Sequence, residues 1–415
     1  MNEQPLVSII VPVYNVERYL VECLASLRAQ TYRNVEIVCV NDGATDRSGL
    51  VLDMFAGLDE RIMVIEQENK GLPGARNTGL DAAHGDIVMF VDSDDGLEPS
   101  AVKTVVQAFV ESDPADMVVF GTNFIGQTRG VDPWLLENLE VRDAVYDEFS
   151  LDLLFEEHAQ PFVWRNAFSM DFLHRNCLRF EEDIKFGEDK VFQFTAFPRT
   201  GRTVLVSDRI YRYRLSRTGS LMDSAGKAQA AKILKHVGIV DRICQRWTES
   251  GDMGRYTAEL FKWTLDFMGY DTLSLDPEDQ KAVCAKMSEM WSRWFPADIA
   301  ATAGLGRACM QRYEWMNGKL ALEQRAQIQA SGNDKNARAI ELEEMGTARA
   351  MASKAKTPLR KLKSGLKHIL PAPAASVAEC FDEVHGRVDQ MDDSMGGQSI
   401  EMLLLMLETK DKNAG

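Results

Sequence analysis

Three carboxylates stand within four residues at Asp92-Ser93-Asp94-Asp95, directly after the apolar run Ile87–Val91. Like charges at this density repel one another. A hard divalent cation with oxygen ligands relieves them, and Mg²⁺ or Mn²⁺ held there would also take the oxygens of a diphosphate. An N-cap for the helix after Pro99 needs one aspartate, not three. A second acidic pair, Glu188-Asp189, opens a helical pattern at Glu188–Ala196, where first-turn acids also complement the helix dipole. Polar residues gather at two further places, Pro12-Val13-Tyr14-Asn15 and Asn41-Asp42-Gly43-Ala44-Thr45-Asp46. Singly, each reads as turn chemistry. Their coincidence at the ends of three apolar runs points to one shared crevice.

Such side chains meet only if the apolar runs are strands of one sheet. Leu6–Val13, Val35–Val40, Arg61–Ile65, Ile87–Val91 and Met117–Phe120 are short and rich in Val and Ile, as strands buried on both faces are. Helical spacing occurs at Val16–Ala29, Gly74–Ala83 and Ser100–Val110. The alternation predicts an α/β fold with a mostly parallel sheet, whose ligands bind outside the carboxyl ends of the strands. Neither a G-x-G-x-x-G nor a G-x-x-x-x-G-K-[ST] pattern follows the first strand, so side chains and a metal must hold any nucleotide. Asp132–Gly219 is less regular. Beyond Met222 strand signals vanish, and helices are predicted at Ala228–Glu249, Thr257–Met268, Pro277–Trp294 and Met310–Ala330, with a break at Gly332-Asn333-Asp334. The expected units are a catalytic domain at 1–223, a helical domain at 224–331 and a helical extension at 332–415.

The bulk composition excludes some classes. A chain of 415 residues exceeds one ordinary core. Its net charge of −16 argues against a nucleic-acid binder with a basic face. Seven cysteines without C-x-x-C or metal spacing suit a reduced compartment, with Cys23 and Cys39 as small buried hydrophobes. No signal pattern opens the chain, and no apolar run reaches the ~18 residues of a spanning helix, so a cytoplasmic protein, soluble or peripheral, is expected.

Six segments, in order, resemble the family 2 glycosyltransferases of GT-A fold. Val7-Ser8-Ile9-Ile10-Val11-Pro12-Val13-Tyr14-Asn15 resembles their opening strand, and Val40-Asn41-Asp42-Gly43-Ala44-Thr45-Asp46 their second motif. Asn69-Lys70-Gly71 with Ala75-Arg76-Asn77-Thr78-Gly79 resembles the third, and Phe90-Val91-Asp92-Ser93-Asp94-Asp95 the D-x-D metal motif. Gly187-Glu188-Asp189-Lys190-Val191-Phe192 resembles the E-D motif, and Tyr211-Arg212-Tyr213-Arg214 with Thr218-Gly219-Ser220 the closing segment. The likeness runs from Leu6 to Met222 and implies a Rossmann-like sheet binding a UDP-sugar.

The resemblance also implies roles. Pro12, Tyr14 and Asn15 would line the nucleotide pocket, with Glu17, Lys70 and Ser93 beside them. Asp42 would bond the uracil edge, and Arg76 would help hold the nucleotide. Asp92 would contact the ribose or a metal-bound water, and Asp94 would bind the cation bridging both phosphates. Asp189 would be the catalytic base, oriented in part by Glu188. The reaction needs these types. Displacing a nucleoside diphosphate from an anomeric carbon develops negative charge that a metal stabilises. The hydroxyl attacking from behind must lose its proton to a base, and configuration inverts. Trp164, with Arg165 and Asn166, falls where the family often sets an aromatic beside the acceptor; core packing is the alternative. Arg212 and Arg214 would close over the diphosphate or pair with acids, with Arg214 also a candidate acceptor contact. The acceptor is expected to be a saccharide or lipid-linked glycan of surface polysaccharide synthesis.

The C-terminal half carries no further likeness. Gln245-Arg246-Trp247 lacks the Q-x-x-R-W spacing of processive synthases, which predicts single addition. Lys354, Lys356, Arg360, Lys361, Lys363 and Lys367 alternate with Leu359, Leu362, Leu366 and Leu370, with no acid among them. That pattern suits an amphipathic helix on an anionic membrane, or a solvated helix face. Val377–Met391 and Ile400–Leu407 repeat apolar residues at helical spacing and would pair chains in a homo-oligomer. The rival readings are a nucleotidyltransferase or a nucleotide-sugar-binding protein with the same acidic site. The first would want a Gly-rich basic loop where Tyr14-Asn15-Val16-Glu17 stands.

Overall fold

The computed structural model describes residues 4–112, 114–126, 133–157, 159–160, 162–215 and 229–317. The limits expected at 223/224 and 331/332, the basic segment 354–370, and the apolar segments Val377–Met391 and Ile400–Leu407 lie outside them.

The first half alternates as the pattern requires: β1 (Val7–Val13), α1 (Glu17–Arg28), β2 (Val35–Asn41), α2 (Ser48–Leu58), β3 (Ile62–Glu66), α3 (Leu72–Ala82) and β4 (Ile87–Phe90). These four strands are parallel. Next come β5 (Gly96–Leu97), α4 (Ala101–Glu111), β6 (Met117–Ile125), α5 (Pro133–Asn138), β7 (Ala144–Tyr146), α6 (Leu151–Phe155), β8 (Asn166–Ser169), α7 (Met170–Arg175), α8 (Glu188–Ala196) and β9 (Thr203–Arg214). They extend the sheet in the order β3-β2-β1-β4-β8-β6-β9-β5, with β7 on β9. β8 runs antiparallel to both β4 and β6, so the second half of the sheet is mixed.

Strand alternation sorts the core into two layers. Val7, Ile9, Val11 and Val13 of β1 face one apolar cluster, which α1, α2 and α4 cover; Cys23 and Cys39 are buried there. Ile10 faces the other cluster, which α3 and α8 cover. That second cluster continues without a break into α9 (Gln229–Ser250), α10 (Asp252–Leu273) and α11 (Pro277–Trp294), and α12 (Ile299–Thr302) and α13 (Arg307–Met316) complete the described chain. Trp247 of α9 is fully buried, and its Nε1 donates to the Phe194 carbonyl of α8 at 2.7 Å. None of the described helices is long and apolar enough to cross a membrane.

Two kinds of element escape the sequence pattern. α2 carries a buried stripe at Ser48, Val51, Leu52 and Phe55, but Gly49 and Gly57 lower its helix propensity. β8 and β9 are short or only partly buried, and their partners are distant in the chain, so neither shows a clean period of two.

Candidate active site

β1 is central and ends in Pro12-Val13. Pro12 pairs in register with Val40 of β2, whereas the ladder to β4 ends at Ile10. The missing N–H therefore falls where β4 has already diverged, a position that tolerates proline. Beyond it Asn15 takes a left-handed φ of 49°. Its side-chain carbonyl accepts from the Thr45 amide at 2.8 Å and the Asp46 amide at 3.3 Å. Glu17 crosses to the same loop twice: its amide donates to Asp46 Oδ2 at 3.0 Å, and its Oε2 accepts from the Arg47 amide at 2.7 Å. Asn15 and Glu17, expected to line the nucleotide pocket, thus stitch the loop after β1 to the loop after β2. Tyr14 remains 48% exposed beside them and offers a ring face.

Asp42 is buried and builds the next loop. Its Oδ1 accepts from Gln67 Nε2 at 2.6 Å and the Lys70 amide at 2.8 Å, and its Oδ2 from the Gly71 amide at 2.8 Å. A carboxylate has about four lone-pair sites, so roughly one remains for the uracil edge. Lys70 itself is exposed, and its carbonyl accepts from Lys185 Nζ at 2.6 Å.

Arg76 occupies the centre. It is 2% exposed, with Nη2 on Asp92 Oδ1 at 2.9 Å and Nη1 on Glu188 Oε1 at 2.9 Å. Its guanidinium lies 5.3 Å from the Phe180 ring centroid. Burial opposes its charge, but Asp92, Glu188 and Asp189 outweigh burial and hold its pKa up. Arg76, expected to help hold the nucleotide, ties the acidic turn after β4 to the start of α8, its partners Asp92 and Glu188 standing 16 and 112 residues further along the chain.

The three aspartates after β4 divide their work. Asp95 is buried and accepts from Tyr211 Oη at 2.8 Å and the Arg214 amide at 2.7 Å. Burial beside Asp94 and Asp92 pushes its carboxyl well above the usual range. It therefore anchors β9, and of the three carboxylates Asp92 and Asp94 are left toward the crevice. Asp92 and Asp94 stay half-buried at the crevice, and Ser93 between them is buried. No group of three or more metal-binding side chains occurs among the described residues. Two hard carboxylates still suit Mg²⁺ or Mn²⁺, which take one or two from the protein and the rest from water and phosphates.

Arg214 does not stand apart on an acceptor side. Its Nε donates to the Asp94 carbonyl at 2.9 Å, its Nη2 pairs with Glu22 of α1, and its guanidinium covers Tyr19 at 5.1 Å. Arg212 also meets Glu22, at 3.4 Å. Trp164 is 3% exposed and stacks on Tyr211 at 4.2 Å, Phe162 at 5.0 Å and Tyr213 at 5.1 Å. A ring so engaged packs the core and has no open face for a sugar; the partly exposed Phe162 and Tyr213 carry the stack outward. Tyr211, Glu22 and Gln67 were not legible as site residues. Tyr211 opens the segment that resembles the family's closing motif, which assigned it no role, and nothing local marks Glu22, 190 residues from Arg212.

The start of α8 is set by Gly187, at φ 75°. A Cβ there would run into Ile239 of α9, so glycine permits both the turn and the close approach. Glu188 is 6% exposed; burial and then Asp189 raise its pKa to about 7, against Arg76. Burial also raises the Asp189 carboxyl, while Lys190 and Arg76 draw it down. Asp189 Oδ1 accepts from the Lys190 amide at 2.8 Å. Charged groups with perturbed ionisation, grouped around one buried arginine, are what proton-transfer sites require.

The family model for Glycosyl transferase family 2 matches residues 8–176. The chain is 37% identical over 213 residues to the uncharacterized glycosyltransferase EpsJ of Bacillus subtilis, covering 51% of this chain and 61% of that protein. It is 32% identical over 226 residues to the glycosyltransferase GlyG of Streptococcus pneumoniae, covering 52% of this chain and 73% of that one. It is 28% identical over 221 residues to the poly(ribitol-phosphate) beta-N-acetylglucosaminyltransferase TarS of Staphylococcus aureus, covering 52% of this chain and 37% of TarS. The crystal structure of TarS 1–349 in complex with UDP-GlcNAc is similar with a TM-score of 0.61 at 21% identity, over 80% of this chain and 92% of that one. The chain therefore spans 61% of EpsJ and well under half of TarS, while the structural likeness establishes the GT-A fold together with a helical C-terminal region.

Proposed function

The chain belongs to glycosyl transferase family 2, and from that premise we propose that it moves a sugar, with inversion, from a UDP-sugar to a hydroxyl of a saccharide or glycoconjugate acceptor. The observation that carries this reading is Arg76, which binds Asp92 and Glu188 at 2.9 Å each and so sets the acidic turn and the E-D motif on one crevice. TarS binds UDP-GlcNAc, which supports UDP as the donor nucleotide. The teichoic-acid substrate in the TarS name favours a surface polymer as acceptor.

Asp94 and Asp92 would hold Mg²⁺ or Mn²⁺, which when bound offsets the charge developing on the diphosphate. The protein's own groups do the rest. Tyr14 covers the base, Asp42 offers its remaining lone pair to the uracil edge, and the loop fixed by Asn15 and Glu17 shapes the pocket. Arg76 keeps Asp92 and Glu188 at a fixed separation. Asp189 takes the acceptor proton as the hydroxyl attacks, and Glu188 beside it sets its field. Residues 1–223 form the unit for this chemistry, and the helices that follow pack against its base-bearing helix.

UDP release is measured against a panel of UDP-sugars with a surface-polymer acceptor. One donor is expected to dominate, EDTA to stop release, and Mg²⁺ or Mn²⁺ to restore it. Diphosphate release from a nucleoside triphosphate and sugar phosphate would favour a nucleotidyltransferase. Binding without release would leave a sugar-nucleotide carrier.

The basic, leucine-bearing segment 354–370 would bring the enzyme to an anionic membrane where lipid-linked acceptors sit. The full chain should co-sediment with phosphatidylglycerol vesicles several-fold more than a chain lacking 354–370. Equal sedimentation would end that idea. Val377–Met391 and Ile400–Leu407 would pair chains in a homo-oligomer.

A further inference from the structure

Lys190 follows Asp189 directly, yet its ammonium turns into the protein. Nζ donates to Gln160 Oε1 at 3.0 Å and lies 4.9 Å from the Phe267 centroid and 5.9 Å from that of Trp263. These two rings of α10 stack on each other at 4.7 Å and 11°. Phe267 stacks in turn on His236 of α9 at 4.4 Å, and His236 on Phe186 at 5.7 Å, just before the E-D motif. Lys190 is half-buried, and a cation placed this way gives up part of its water for one neutral hydrogen bond and two ring faces. Methionine or leucine would fill the space without that cost, so packing alone does not account for it.

The ammonium makes no ion pair with Asp189, but anchoring its side chain fixes the backbone that does meet that carboxylate. The Lys190 charge acts on that carboxyl, and its backbone amide donates to the same group. We propose that Lys190, gripped by Gln160 and by Phe267 and Trp263 of the C-terminal helices, is a positioning residue that presents Asp189 to the acceptor as a carboxylate. The helical half thereby completes the active site instead of merely following it. This rests on the reading of Asp189 as the base.

Other charges bear on the pair. Arg76 of α3 also favours an ionised Asp189, and Asp92 opposes it. Glu188 and Asp189 repel each other. On the α9 side, His236 is held near pKa 3 by burial, Lys232 and Lys190, so it is neutral at working pH. Lys235 sits over Phe186 at 5.4 Å, with the rings of Phe186, His236 and Phe267 between it and Lys190. Burial brings Lys190 itself to about 8, with Asp189 opposing.

The test is the pH profile of kcat/KM for the full chain, compared among wild type, Lys190→Met, Lys190→Arg, Phe267→Leu and Asp189→Asn. Removing the cation raises the Asp189 pKa, so the acidic limb of Lys190→Met should move up by about one unit, costing roughly tenfold in activity on that limb. Lys190→Arg should return the limb toward wild type, and Phe267→Leu should shift it in the same direction by less. A loss uniform across pH, with the limb unmoved, would overturn the proposal. Should Lys190→Met fail to fold, Phe267→Leu decides alike: a moved limb supports it and an unmoved limb refutes it. Full turnover in Asp189→Asn would instead refute the base reading. A dead Asp189→Asn with an unmoved Lys190→Met would refute only this inference.

Discussion

Asp189→Asn lowers turnover by roughly 10²–10⁴-fold while UDP binding stays near the wild-type value. Asparagine keeps the shape and the oxygen that accepts from the Lys190 amide, so the first turn of α8 is retained. It cannot accept a proton from the acceptor hydroxyl. The change also removes a charge that repels Glu188, so the variant should be at least as stable as the parent. Lost turnover would then be chemical and not a consequence of unfolding. The measurement is single-turnover transfer beside calorimetric UDP titration. Full turnover would remove Asp189 as the base, and a loss confined to donor affinity would reassign it to donor binding.

Arg76→Met should destabilise the fold by about 3–5 kcal/mol near pH 8, since removing one partner of a buried pair strands the other charge. Glu188, 6% exposed, bears most of this cost; Asp92 still reaches solvent. The pH dependence has a definite sign. Burial and Asp189 raise the folded-state pKa of Glu188 from 4.5 to about 7, so its contribution to stability is complete below 4.5 and lost as pH rises through about 7. Arg76 opposes that rise, so without it the pKa climbs further and the loss deepens above neutrality. The gap between variant and parent in urea unfolding should therefore narrow at pH 5 and widen toward pH 8. A gap that is flat over this range would mean that Arg76 does not compensate Glu188. Transfer activity should fall even where the variant is folded, since Asp92 and Glu188 lose their common anchor.

These two residues show what can be read at each level. Strands such as Val7–Val13 and Val35–Asn41 are legible because burial on both faces leaves a mostly apolar run, interrupted only by Ser8 in the first and by Glu36 and the terminal Asn41 in the second, that is visible without distant partners. The aspartates at their ends are legible because parallel strands must deliver their carboxyl ends to one side. α8 is legible to the residue, from Glu188 to Ala196, since first-turn acids and an apolar stripe are both local. β9 is not, because its alternation breaks at the exposed Asp208 and Arg209 and its place is fixed by pairing with β6, 86 residues earlier at Met117–Thr203.

The site divides the same way. Residue types and order along the chain determined that the chain is of the α/β class and that acidic residues gather at the carboxyl ends of its strands, with Asp94 and Asp189 as the candidate chemical groups. Only the tertiary structure decided which of these side chains are spent on contacts within the protein. Asp95 turned inward to Tyr211 and Arg214, Asn15 and Glu17 became loop ties, Trp164 joined a buried stack, and Arg76 became the bridge between Asp92 and Glu188. Sequence patterns register periodicity and residue type, which are local. Which lone pair is spent on the protein and which is left for a substrate depends on groups brought together from tens to more than a hundred residues away, and burial then sets the charge state of each.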